Sequence, residues 1–122
     1  MADEENDPDL TVLQTALTPE MRKALRAAHL LRLVSGPGAP RDVRLITERV
    51  VVGRAIDADI TIVSPRVSRH HAAFEKTAEG FTCRDLDSAN GTWVAGVEVA
   101  SAALRDGDTV QLGDALFEYY ER

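Results

Sequence analysis

Three groups of residues in this sequence have the types and spacing for chemistry with an anion: Gly53-Arg54, then Ser68-Arg69-His70-His71, then Asn90-Gly91-Thr92. Arg54 and Arg69 each carry a planar fork of donors, Ser68 a hydroxyl, and Asn90 an amide with a donor and an acceptor end. None of these four is a strong acid, a good base or a preferred metal ligand. Several donors converging from separate segments are best used by a phosphate, whose oxygens accept charge-assisted hydrogen bonds from different directions. Gly53 and Gly91 stand beside these groups, where a Cβ would obstruct a backbone turn or a close approach.

Two other chemistries use some of the same residues and fail on their surroundings. Ser68 and His71 with Asp85 or Asp87 have the types of a hydrolase triad, but no nucleophile elbow surrounds Ser68 and nothing suggests an oxyanion hole. The chain is therefore read as non-enzymatic. His70 and His71 with Asp57 or Asp59 have the types of a metal site, yet adjacent residues on a strand face opposite ways. No metal or other cofactor is expected, and His70 is read as an ordinary strand residue.

The elements that must hold these groups are short strands. His29 to Val34, Val43 with Leu45, Val50 to Val52, Ile60 with Ile62, Ala72 with Phe74, and Phe81 to Leu86 are apolar or alternating runs. Thr92 to Val94, Thr109 to Leu112 and Ala115 to Tyr120 continue the pattern. Turn residues divide them, at Ser35 to Pro40, Ala78-Glu79-Gly80, Ala95-Gly96, Asp106-Gly107-Asp108 and Gly113-Asp114. Many short strands at this spacing predict an all-β sandwich of two antiparallel sheets with its loops gathered at the ends. Cys83, the one cysteine, alternates with Phe81, which excludes an internal disulfide and predicts a small buried apolar role.

The remaining residues form an appendage. Residues 1–17 hold five acids and no Lys or Arg, and are expected to be a disordered leader. Thr18-Pro19-Glu20 supplies a hydroxyl cap, a proline at the first helical position and an acid in the first turn, predicting a short helix over 18–28. Residues 29–122 are then the sandwich domain. Net charge is −6, and no apolar run approaches the roughly 20 residues of a membrane span. The protein is expected to be soluble, cytoplasmic and more often monomer than dimer, without membrane insertion or a nucleic-acid partner. Abundant alanine, with arginine preferred to lysine, points to a GC-rich bacterial genome.

With Gly53-Arg54, Ser68-x-x-His71 and Asn90-Gly91-Thr92 in this order inside an all-β pattern, and Gly96 beyond, residues 29–122 resemble the forkhead-associated (FHA) domain. Members of that family are β-sandwiches that bind phosphothreonine peptides through loops at one end. The resemblance implies that Arg54 and Ser68 contact the phosphate, that Asn90 bonds the peptide backbone, and that Arg69 adds a contact. It implies that Gly53, His71 and Gly91 brace the loops, and that Arg66 is placed to read the residue three after the phosphothreonine. An Arg66 turned toward that residue selects an acid, whereas one turned to solvent leaves room for an aliphatic choice. Two departures stand out: Ala89, where a hydroxyl or longer polar side chain is frequent, and Ala95, where an asparagine often precedes the later glycine.

The function so implied is a phosphothreonine-binding adaptor or regulator in serine/threonine kinase signalling, with a phosphothreonine-containing protein and the kinase as partners. Thr11 follows Asp7 and Asp9 and precedes Val12-Leu13, a setting that resembles a substrate of bacterial serine/threonine kinases. Thr11, and after it Thr15, is the expected phosphorylation site, through which the leader would shut off the domain's own loops. The alternative is a phosphate-independent scaffold in a bacterial assembly such as a secretion or transcription complex.

Overall fold

The computed structural model describes residues 18–19 and 29–121, where eleven strands form two sheets. The leader, its two threonines and all but the first two residues of the expected helix lie outside the described residues. The strands are β1 (His29–Ser35), β2 (Arg41–Arg44), β3 (Arg49–Gly53), β4 (Ile60–Thr61), β5 (Ala72–Thr77) and β6 (Gly80–Asp85). They continue as β7 (Thr92–Val94), β8 (Val97–Glu98), β9 (Ser101–Ala103), β10 (Thr109–Leu112) and β11 (Ala115–Glu121). One sheet has the order β2-β1-β11-β10-β7-β8 and the other β4-β3-β5-β6-β9.

Period-two alternation decides which side chains enter the space between the sheets. Leu31 and Leu33 of β1, Val110 and Leu112 of β10, and Ala115, Phe117 and Tyr119 of β11 are buried from one side. Val50 and Val52, Ile60, Ala72 and Phe74, and Phe81 with Cys83 meet them from the other. Edge-to-face pairs join the sheets: Phe74 with Phe117 and Phe81 with Tyr119, each with ring centroids 6.5 Å apart. Burial pushes the Cys83 thiol up to about 12, aided by the nearby Asp85 carboxylate. That thiol is a packing group.

The structure differs from the sequence reading in three places. β8 and β9 were not expected, because two or three residues of Val, Glu, Ser and Ala carry little pattern of their own and are fixed by pairing with β7 and β6. The β3–β4 pair is parallel, with Val52 opposite Ile60, while the sheets are otherwise antiparallel. His70 is not in a strand: it sits in an exposed bend before β5, and its Nε2 lies 2.9 Å from Asp57 Oδ1.

Candidate functional site

The ends of β3, β6 and β10 and the starts of β5, β7 and β11 place four connections at one end of the sandwich: 54–59, 62–71, 86–91 and 113–114. The first two are stitched together by backbone. Arg54 N–H donates to Ser68 O at 2.9 Å, Ala55 N–H to Arg69 O at 3.0 Å, and His71 N–H to Val52 O at 2.9 Å. This approach is why residue 53 is glycine. A Cβ there would stand 2.0 Å from Arg69 O and 2.9 Å from His70 Cα, backbone atoms that cannot swing aside.

His71 joins the second connection to the third. The ring is fully buried; Nδ1 accepts Ser68 N–H at 3.0 Å and Nε2 donates to Gly91 O at 2.7 Å. An acceptor at Nδ1 and a donor at Nε2 define the neutral Nε2–H tautomer. The same contacts dismantle the triad alternative, since Nδ1 faces a backbone amide and Nε2 a carbonyl, leaving no ring nitrogen for the Ser68 hydroxyl. Asp85 is also committed elsewhere.

Against that frame the side chains of Arg54, Ser68 and Asn90 are each held by one hydrogen bond. Arg54 Nε donates to Val67 O at 3.2 Å, which leaves both terminal guanidinium nitrogens without a partner among the described residues. Ser68 Oγ accepts Ala89 N–H at 3.0 Å, so its hydroxyl hydrogen stays available to donate. Asn90 Nδ2 donates to Arg66 O at 2.8 Å, keeping its carbonyl and second N–H for other use. Arg66 and Arg69 are exposed, and neither side chain has an ion pair or hydrogen bond among the described residues. Three guanidinium groups without carboxylate partners thus share one end of a chain whose net charge is −6.

Supporting residues that the sequence reading missed lie behind these. Asp85 Oδ1 accepts from the hydroxyls of Ser88 and Thr92, its Oδ2 accepts Ser88 N–H at 3.1 Å, and Ser88 Oγ accepts Gly91 N–H at 2.9 Å. Burial works to raise the Asp85 carboxyl, but these hydrogen bonds outweigh it and hold the group below the usual carboxylate range. On the other flank buried Ser64 donates to Asp114 Oδ1 at 2.6 Å and accepts Arg66 N–H at 3.1 Å. The short polar residues around Asn90-Gly91 were a legible turn signal. The Ser64–Asp114 pair, fifty residues apart, had none.

The two departures have definite places. Ala89 gives its N–H to Ser68 and presents only a methyl group to the loop surface. Ala95 and Gly96 both have positive φ, 49° and 82°, the requirement of a type I′ turn between β7 and β8.

A family model described as FHA domain matches residues 50–113. Over 98 residues the chain is 41% identical to the ABC transporter ATP-binding/permease protein Rv1747 of Mycobacterium tuberculosis, covering 80% of this chain and 10% of that protein. It is 36% identical over 84 residues to an oxoglutarate dehydrogenase inhibitor of Corynebacterium jeikeium, covering 69% of this chain and 58% of that one. The chain thus spans only part of the length of these relatives. A domain solved in a structural and functional analysis of phosphothreonine-dependent FHA domain interactions matches with a TM-score of 0.70 and 27% identity, covering 78% of this chain and 97% of that one.

Proposed function

This chain belongs to the FHA family, and on that premise we propose that it binds phosphothreonine-containing segments of partner proteins as a regulator in serine/threonine kinase signalling. The observation that carries the reading is the set of three guanidiniums on connected loops, Arg54, Arg66 and Arg69, without carboxylate partners among the described residues, together with a Ser68 hydroxyl whose hydrogen is free to donate. In this reading Arg54, Ser68 and Arg69 take the phosphate, Asn90 takes the peptide backbone, and Arg66 reads the residue three beyond. The domain binds and releases, with no catalytic step of its own.

Hydrogen bonds to a charged group contribute about 1.5–3 kcal/mol each, so three or four to one phosphate supply roughly 5–10 kcal/mol before ordering costs. Micromolar affinity corresponds to about 8 kcal/mol. Binding at that level therefore depends on the phosphate, which makes it a switch.

The similarity to an oxoglutarate dehydrogenase inhibitor supports a regulator that acts by engaging another protein. Phosphorylated Thr11, or after it Thr15, is proposed to occupy the same loops and shut the site. Thr11 stands eighteen positions before His29: seven extended steps span about 23 Å and the expected helix over 18–28 about 16 Å, roughly 40 Å together. β1 starts opposite the end of β11, far from the loops, but β11 is seven residues long, roughly 24 Å. The leader has the reach.

Titration with a degenerate phosphothreonine peptide library beside its unphosphorylated twin tests the reading. Phosphopeptides alone should bind, and Arg54→Ala should lower their affinity at least tenfold while leaving the unfolding midpoint within error. Equal binding of both libraries, or an unaffected Arg54→Ala protein, refutes it in favour of a phosphate-independent scaffold.

A further inference from the structure

Beside Asn90 and Arg66 the outer face of the six-stranded sheet is hollowed into a groove of about 480 Å3. Thr92, Val94, Val110 and Leu112 are buried inward, so their neighbours Trp93 and Gln111, cross-strand partners, face outward and form its floor with Thr109. Arg54, Ser68 and Arg69 do not line it. It adjoins the phosphate-reading loops and runs away from them toward Gly96, where a Cβ would meet nothing within 4 Å.

The lining has a definite chemistry. Arg66 is its one charged group, and the remainder is an indole, two amides, a hydroxyl and two glycines. Trp93 is only partly buried. The indole is also tied to the loop above: its Cη2 and Cζ3 stand 3.1 Å from where a Cβ on Gly91 would be. The volume falls in the range that takes a small ligand or a few side chains. From Gly113 to Thr109 the floor follows β10 for roughly 13 Å, enough for about four residues of an extended segment.

We propose that this groove is a second recognition site for the phosphorylated segment, taking an aromatic or long aliphatic side chain on the Trp93 indole beyond the residue that meets Arg66. The inference rests on the phosphothreonine reading and adds a selection for an apolar anchor at a distance from the phosphate. An apolar group is favoured on the floor because the indole is the largest apolar surface among the lining residues, none of which is a carboxylate; Glu98, Trp93's other cross-strand partner, bounds the indole on the side away from Gln111.

Trp93 is the chain's one tryptophan, so its emission reports the groove directly. The full 122-residue protein would be titrated with 15-residue phosphothreonine peptides from a degenerate library, and the best binder remade with single glycine replacements along both flanks. The expected result is one apolar position, beyond the residue facing Arg66, whose replacement weakens binding about tenfold, equivalent to about 1.4 kcal/mol. The intact peptide should shift Trp93 emission to shorter wavelength, and the replaced peptide should not. Gln111→Tyr, which fills the floor from an exposed position, should weaken the intact peptide and leave the replaced one unchanged. Phosphate-dependent binding with silent Trp93 emission and no sensitive position overturns the groove and leaves the phosphothreonine reading standing. Failure of any phosphopeptide to bind overturns both.

Discussion

Replacing His71 with alanine should loosen two binding loops in one step. The ring is fully buried and makes two hydrogen bonds, to Ser68 N–H and Gly91 O, so the change deletes both and leaves a backbone donor and acceptor behind. Each lost bond costs about 1 kcal/mol, and each orphaned group adds about 1–3 kcal/mol unless water reaches it. Because the two partners sit on loops near solvent, water entry should recover part of this, for a net loss of about 2–4 kcal/mol. At a urea m-value of about 1.5 kcal/mol/M the midpoint falls by roughly 1.3–2.7 M. His71→Gln, whose amide can restore one bond, should recover about half. The same variants, assayed while still folded, should bind phosphopeptide at least tenfold more weakly, since neither Ser68 nor Asn90 is then held. A midpoint within about 0.3 M of the parent would show that the ring does not hold the loops, and the bracing argument would fall.

Gly53→Ala should cost about 2–4 kcal/mol and weaken phosphopeptide binding, because its Cβ forces Arg69 away and with it the Arg54–Ser68 and Ala55–Arg69 backbone bonds; urea unfolding reads the first effect and titration the second. Ala95→Asn should raise stability by about 0.5–1 kcal/mol, since alanine holds a φ of 49° that asparagine tolerates better; an unchanged melting temperature would refute this. Asp85, with its carboxyl held below the usual range, stabilises the fold above the ordinary carboxylate pKa, and that contribution is lost as pH falls through the depressed value. Asp85→Asn should therefore be the less stable protein at pH 7, with a gap that narrows below about pH 4; urea midpoints measured across pH should show the convergence.

Long alternating runs were legible in the sequence because burial enforces them residue by residue: Leu31 and Leu33, Phe81 and Cys83, and Phe117 and Tyr119 all point where period two puts them. Gly53-Arg54, Ser68 and Asn90 stood out in the sequence by type, and the structure brings their loops together at one end of the sandwich. What lay hidden depends on partners distant in the chain. β9 exists through its pairing with β6, and nothing in Ser101-Ala102-Ala103 alone requires a strand. Trp93 read as one more strand residue, and only the register opposite Gln111, together with the Arg66 loop above it, turns it into a groove floor. His70 misled for the opposite reason: its neighbour His71 bonds Val52 from just outside β5, and the strand starts at Ala72, two residues after the position read as strand.

Among the arginines, Arg32, Arg49 and Arg84 lie on sheet faces and are ion-paired with Asp42 or Glu75. Arg41 and Arg105 stand singly, without such pairs among the described residues. Arg54, Arg66 and Arg69 fall within sixteen residues on connected loops, and for them the pattern differs. Surface pairs contribute little, so leaving them unpaired costs the fold little. The framework beneath is meanwhile satisfied: Arg54, Ser68 and Asn90 each spend one hydrogen bond on backbone and keep the rest. In the proposed complex an arriving phosphate would meet donors already positioned, and its bonds would not be offset by breaking others. Arg69, whose side chain has no such tether among the described residues, must lose side-chain freedom on binding and should contribute less than Arg54 for the same charge. The order of the two arginines follows from how each is held, since their charge is identical.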